Sequence, residues 1–234
     1  MKVKVSHLQI IGIALCCLAI AVGITLGVFT RGSFLKLTQD KSSISNAVLF
    51  MDEDMANALD YQYSEINLDS AKYELDRYSY AFWVKCIDAQ LCYDCTKYSV
   101  NVIDTVKGDI DENGNSIVLY QWLGFNKYAD TELAFNSPDS SMPLKIGKEY
   151  LVFAEKRDYY KDYQRTLQSN EYSLGLMGIC PTAFVINDTQ ENYADISTDK
   201  VYSDIEDLYY LCFSQKALDN INKTSKQIIS YYCE

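Results

Sequence analysis

Cys92, Tyr93, Asp94 and Cys95 give two thiols the spacing that disulfide exchange uses. That chemistry needs a thiolate, and Asp94 opposes one by adjacent negative charge. The pair also sits in a β-type pattern, whereas redox motifs of this spacing open a helix after a strand. Structural pairing is the favoured reading for Cys92 and Cys95, with thiol–disulfide exchange as the alternative. A second cluster, Asp109, Asp111 and Asn113 before Gly114, imitates the start of a calcium loop. Tyr120 stands where the bidentate Glu of such a loop belongs, so the stretch reads as a solvated hairpin tip. A third is cationic and aromatic: Lys156, Arg157, Lys161 and Arg165 interleave with Tyr159, Tyr160 and Tyr163. Stacking plus positive charge suits a ligand-binding loop, and a solvated loop is the plainer alternative.

The only histidine is His7. It precedes an uncharged stretch at residues 8–30, so no histidine-based nucleophile or zinc centre is expected beyond that stretch. No phosphate-binding glycine loop or dinucleotide fingerprint occurs. Neither catalytic residues nor a metal or other cofactor is assigned.

At 1.5 Å per residue the stretch 8–30 reaches roughly 34 Å, enough to cross a bilayer once. A cleaved signal peptide is the alternative, but the small residues Ala19, Ala21 and Gly23 lie inside the stretch instead of at its end. All 32 acidic residues follow it, within a chain of net charge −11. Such a field repels phosphate backbones and argues against nucleic acid as a partner. Localisation at the cell membrane is expected, single-pass with the carboxy-terminal region outside, or secretion after cleavage. Six of the eight cysteines lie beyond the span: Cys86, Cys92, Cys95, Cys180, Cys212 and Cys233. In an oxidising compartment they are disulfide candidates, whose connectivity the sequence leaves open.

The elements that must carry these groups follow from periodicity. Residues 1–7 form an inner tail, 8–30 the span, and 31–77 a stalk. Within the stalk Val48, Met51, Met55 and Leu59 recur at helical spacing behind Ser45. From Tyr78 the period becomes two. Tyr98, Val100, Val102 and Val106 share one parity, opposite Lys97, Ser99, Asn101, Thr105 and Lys107, as a half-buried strand requires. Residues 108–115 supply turn chemistry and 117–123 return as an apolar strand. Residues 80–87, 150–154 and a stretch within 178–186 complete five strands, with Pro181 at an edge or bulge. In the carboxy-terminal segment 189–234, Ile205, Leu208, Tyr209, Cys212, Leu218 and Ile221 approximate one helical face behind Ser203, which has Glu206 three residues on.

The order of the strand 100–109 ending in Gly108, a hairpin, and the run Leu144, Gly147, Tyr150, Leu151 and Phe153 resembles the netrin-like and tissue-inhibitor-of-metalloproteinases OB-fold superfamily. It is most similar to bacterial surface proteins carrying that domain. The resemblance covers residues 78–188 and implies a mainly β fold: a five-stranded OB-fold barrel, here with a carboxy-terminal α-helix and preceded by a transmembrane helix and stalk. Gly147 permits a tight turn, Tyr150, Val152 and Ala154 face one side, and Leu151 and Phe153 the other. These are fold residues, and function does not follow from fold. The family's inhibitors chelate zinc through a free amino-terminal cysteine, and a span and stalk precede Cys86 here. The expected function is a membrane-anchored extracellular binding module for a protein or glycan, non-catalytic. A thiol oxidoreductase using Cys92 and Cys95 and a structural surface spacer are the alternatives.

Overall fold

The computed structural model describes residues 35–36, 45–49, 51, 53–92, 95–110, 115–127, 133–137, 141–157, 170–175, 180–194 and 201–233. The chain divides into two units, 1–35 and 36–234, and the architecture below is that of the second. The span 8–30 lies outside the described residues. Among the described residues no helix is long and apolar enough to cross a membrane.

The strands are β1 (Leu35–Lys36), β2 (Val48–Leu49), β3 (Tyr80–Cys92), β4 (Cys95–Lys107), β5 (Ser116–Gln121), β6 (Gly124–Lys127), β7 (Leu133–Asn136), β8 (Glu149–Lys156), β9 (Glu171–Leu174) and β10 (Ala183–Val185). The helices are α1 (Glu53–Glu65), α2 (Leu68–Leu75) and α3 (Gln215–Cys233). The fold is mainly β. Five strands close in the order β3, β4, β5, β9, β8 and back to β3; β5 and β9 run parallel and the other pairs antiparallel.

β8 shows why the barrel has two distinct sides. Tyr150, Val152 and Ala154 point into the barrel with Phe82, Val84, Tyr98, Ile117 and Leu119. Leu151 and Phe153 point outward into a second cluster with Phe184, Tyr63, Leu75, Leu218 and Ile221 from the helices and their surroundings. The strand is therefore buried on both faces, and each large apolar side chain so covered contributes about 1.5–3 kcal/mol. Alternation anticipates this division of β8 residue by residue.

The fifth barrel strand differs from expectation. It is broken: β9 pairs with residues 154–156 of β8, while β10 takes the same edge at residues 150–152. Pro181, which has no N–H to offer the ladder, stands two residues ahead of β10. The strand expected within 178–186 is thus the second piece, and the first, Glu171–Leu174, lies ahead of it where no strand is expected.

Residues 31–77 contain two helices that bury Ala56, Tyr63, Ala71 and Leu75. Asn67 and Ser70 form a reciprocal capping box at the start of α2, the side chains bonding each other's backbone N–H at 3.0 and 3.1 Å. The helical face expected from Val48 to Leu59 is not the one formed. Val48 belongs to β2, α1 begins at Glu53, and Met55 is 43% exposed. A further small sheet, not expected from the sequence, joins β2 from the stretch 31–77 to β7 and β6 between β5 and Pro143. Phe125, Phe135 and Tyr202 hold it together with ring centroids 4.9–5.1 Å apart.

The carboxy-terminal helix exists but starts later than its periodicity suggests. Tyr202–Asp204 is a single 3-10 turn, and α3 begins at Gln215 with Ser214 Oγ accepting the Ala217 N–H at 3.2 Å. Between them Ile205, Leu208, Tyr210, Leu211, Cys212 and Phe213 are all buried. Glu206 and Asp207 are exposed, but from Tyr210 to Phe213 every residue is covered, and such a run has no amphipathic face to favour a helix.

Asp188, just after β10, accepts from Lys148 Nζ at 2.7 Å, Tyr209 Oη at 2.5 Å and the Thr189 N–H at 2.8 Å. These bonds, Lys148 first, hold its carboxyl well below the usual carboxylate range. A depressed folded pKa means the contribution is complete above the unfolded value of about 4 and is lost as pH falls through the folded one. The urea midpoint of Asp188→Asn should therefore fall less steeply than that of the parent between about pH 5 and pH 2. Parallel slopes would show that Asp188 is not part of the acid response.

Candidate functional site

Helices and the segment around β10 cover the outer face of β3 and β8. On the far side, the outer face of β4, β5 and β9 carries two rows in register across the three strands, Lys97, Tyr120 and Ser173 in one and Ser99, Val118 and the buried Glu171 in the other. Ile117 and Leu119 turn into the barrel, so alternation puts Val118 and Tyr120 outside. No helix among the described residues packs there. β5 has no open edge along its core, since it bonds to β4 on one side and β9 on the other.

Tyr120 organises this face. The Arg157 guanidinium lies 3.8 Å from the centre of its ring, and the Lys97 ammonium 6.0 Å from the same centre. Arg157 is fixed at its backbone too, its N–H donating to the Glu171 carbonyl at 3.1 Å where β8 gives way to the following loop. Its Nη1 is shielded from water and has no hydrogen-bond partner. Trp122, the next outward position after Tyr120, is 48% exposed, and Asn101 on β4 is exposed. Tyr120 itself is only 5% exposed, so the ring open to solvent on this face is Trp122. With Lys97, Ser99 and the exposed Asn101 at alternate positions of β4, the indole is what a ligand on this face would meet.

Of the seven residues expected to form a binding loop, Lys156 and Arg157 are described; Tyr159, Tyr160, Lys161, Tyr163 and Arg165 lie outside the described residues. Lys156 is exposed at the end of β8. Tyr120, Trp122 and Lys97 were missed as site residues. Their signal was present: in an apolar run, every second residue of a barrel strand must face outward.

The fold residues are placed as follows. Gly108 and Gly147 have φ of +83° and +85°. Tyr150 Oη accepts the Lys145 N–H at 2.8 Å, tying down the turn at Gly147. Leu151 and Phe153 are fully buried. The calcium-like stretch is described only at its two ends, and among the described residues no group of acidic, cysteine or histidine side chains is arranged to hold a metal.

The expectation of disulfides is not met by the structure. Cys86, Cys180 and Cys212 are free thiols, and no disulfide is found among the described residues. Cys86 lies in the barrel interior, whereas Cys180 and Cys212 lie in the helix-side cluster, with Cys233 packed against it. The sheet separates Cys86 from the others. Cys92 and Cys95 are backbone partners closing the β3–β4 hairpin, and the Cys92 side chain is outside the described residues. Burial, with Asp88 nearby, pushes the Cys86 thiol up to about 12; burial, with Asp60 nearby, does the same for Cys212. Cys180 is raised by burial and then by Glu74. In alkylation at pH 8 with mass mapping, these three should label at least about a thousandfold more slowly in the native protein than in urea. Comparable rates would mean the clusters open readily.

No protein-family model matches this chain, and no curated protein matches it.

Proposed function

We propose that this chain is a non-catalytic binding module of the OB-fold kind, displayed outside a membrane by residues 8–30, whose ligand lies on the outer face of β4, β5 and β9. The OB-fold reading is supported by the closing order of the five strands and by the parallel pairing of the third and fifth. In that fold the face of the second and third strands and the loop between the fourth and fifth contact ligands. Here these are β4, β5 and Arg157 at the end of β8.

One observation carries the proposal. The helices cover one side of the barrel, and on the other, where no described helix packs, an arginine and a lysine lie over the buried Tyr120 and Trp122, two residues on, is half-exposed. A panel of immobilised acidic and neutral oligosaccharides and acidic and basic peptides tests it on the full chain. Arg157→Gln with Trp122→Ala should reduce the saturable binding by at least about tenfold, with the unfolding midpoint shifted by no more than the few tenths of a kcal/mol typical of surface changes. Unchanged binding by the double variant would remove this face from consideration.

A further inference from the structure

We infer that the cavity between α3 and the chain leaving β10 is a second binding site, which takes a single neutral sugar unit by its hydroxyls. The cavity has a volume of about 240 Å³ and is lined from one side by α3, away from the face of β4 and β5. Pockets for drug-sized ligands run to about 300–1,000 Å³, so this one suits one ring and not an oligomer.

Its walls differ from ordinary packing. Most of the inward face of α3 is apolar, with Ala217, Leu218, Ile221 and Ile228 buried. Toward the cavity the helix turns polar: Asn222, Lys226 and Ser230 recur at four-residue steps beside Ser225. On the other wall Asn187 has φ of +58°, and no other non-glycine residue among the described residues has a positive φ. That conformation costs energy in a residue with a side chain, asparagine bearing it better than most, and here it sets Asp188 and Thr189 at the cavity.

At the floor, Tyr210 and Ser225 are 1% and 5% exposed. Tyr210 Oη accepts the Val185 N–H and lies 3.2 Å from Ser225 Oγ. The bond between the two hydroxyls uses one of their hydrogens, and the other has no acceptor among the described residues. A buried donor without an acceptor is costly, and a ligand oxygen in the cavity relieves it.

Charge selects the class of ligand. Asp188 and Lys226 both line the cavity, so an anion is opposed by the first and a cation by the second. An amino-acid zwitterion escapes both objections, but its ammonium brings three donors. Asp188 already accepts from Lys148, Tyr209 and Thr189, which leaves about one of a carboxylate's roughly four acceptor sites. One hydroxyl fits there. Neighbouring sugar hydroxyls can donate to Asp188 and accept from Lys226 and from the floor, while Val185 and Ile229 present apolar surface to the ring's C–H groups.

The test is ligand-observed saturation-transfer NMR titration of the full chain with glucose, galactose, mannose and N-acetylglucosamine. Glycine and inorganic phosphate are the zwitterionic and anionic comparisons. At least one sugar should saturate with a Kd of about 1 mM or tighter, and glycine and phosphate should bind at least about tenfold more weakly than that sugar. Lys226→Met, which keeps the length of the side chain and loses the ammonium, should weaken the sugar by about tenfold, and Ser230→Trp, which fills the mouth, by more. Both positions are exposed, so melting temperatures should be unchanged; if Ser230→Trp lowers its own, Lys226→Met alone decides. No saturable binding by any of the four sugars overturns the inference. So does sugar binding that the variants leave intact, whether or not Trp122→Ala removes it. Glycine or phosphate binding as tightly as the best sugar, and weakened by the variants, overturns the ligand class and leaves the cavity standing.

Discussion

Replacing Gln190 with Leu should destabilise the protein by about 3–5 kcal/mol, read as a lower urea midpoint at unchanged slope. Gln190 is 4% exposed and its side chain is bonded throughout. Oε1 accepts the N–H groups of Tyr209 at 2.6 Å and Tyr210 at 2.8 Å. Nε2 donates to the carbonyls of Asn192 at 2.8 Å and Tyr210 at 3.0 Å, and lies 3.4 Å from Cys212 Sγ. Leu preserves volume and removes every one of these bonds. Two backbone N–H groups then lose their acceptor in a buried setting, at about 1–3 kcal/mol each. Against total stabilities of about 5–15 kcal/mol this is a large share. Gln190→Glu is the informative companion. It keeps an oxygen for the two N–H groups and sets a second oxygen against the carbonyls of Asn192 and Tyr210, so it too should destabilise, and less so at low pH as the carboxyl is protonated. A Gln190→Leu protein within about 1 kcal/mol of the parent would show that packing, not this amide, holds the segment.

Gly108→Ala should cost about 2–4 kcal/mol, and Gly147→Ala only about 1–2 kcal/mol, although both glycines have nearly the same backbone angle. At Gly108 an added Cβ would lie 2.5 Å from Tyr80 Cδ1 and 2.9 Å from the Ser79 carbonyl oxygen. The tyrosine ring can turn; the backbone oxygen cannot retreat without disturbing the start of β3. That end is already fixed, because Lys107 Nζ donates to the Asp76 carbonyl at 2.7 Å and Glu155 accepts the Ser79 N–H at 2.7 Å. Around Gly147 nothing lies within 4 Å of the added atom, so the substitution meets conformational strain alone. Paired denaturation curves separate the two terms. Equal losses would mean the contact at Ser79 relaxes freely.

The contrast between the glycines illustrates what sequence reading reaches. Both occupy recognisable turn positions, and both adopt the left-handed conformation that turns demand. Only the fold places Tyr80 and Ser79 against one of them. β4 and β8 were legible because their alternation is local: Tyr98 and Val100 lie inward on β4, and Tyr150, Val152 and Ala154 inward on β8, while Val106, past the irregularities in the β3–β4 pairing, packs against the helix-side cluster instead. The small sheet of β2, β6 and β7 was not, since its strands are two to four residues long and one comes from 70 or more positions earlier in the chain.

The carboxy-terminal region failed for a different reason. Residues 205–213 carry apolar side chains at near-helical spacing, and in isolation that pattern favours a helix. Gln190 bonds both the N–H and the C=O of Tyr210, and the Ala194 N–H donates to the Cys212 carbonyl at 2.9 Å. Backbone groups used in this way are withdrawn from helical bonding, so the helix begins at Gln215, beyond the last of them.

By itself the sequence determined the period-two strands, the alternating faces of β8, the turn glycines and the presence of a terminal helix, because each depends on residues within a turn or two of one another. Tertiary structure decided the rest. It divided the fifth strand around Pro181, set the helix boundary through Gln190, kept Cys86, Cys180 and Cys212 as buried thiols, and brought Arg157 over Tyr120. Each of these depends on which distant group reaches a backbone or a ring first, and spacing along a chain does not encode that order of contact.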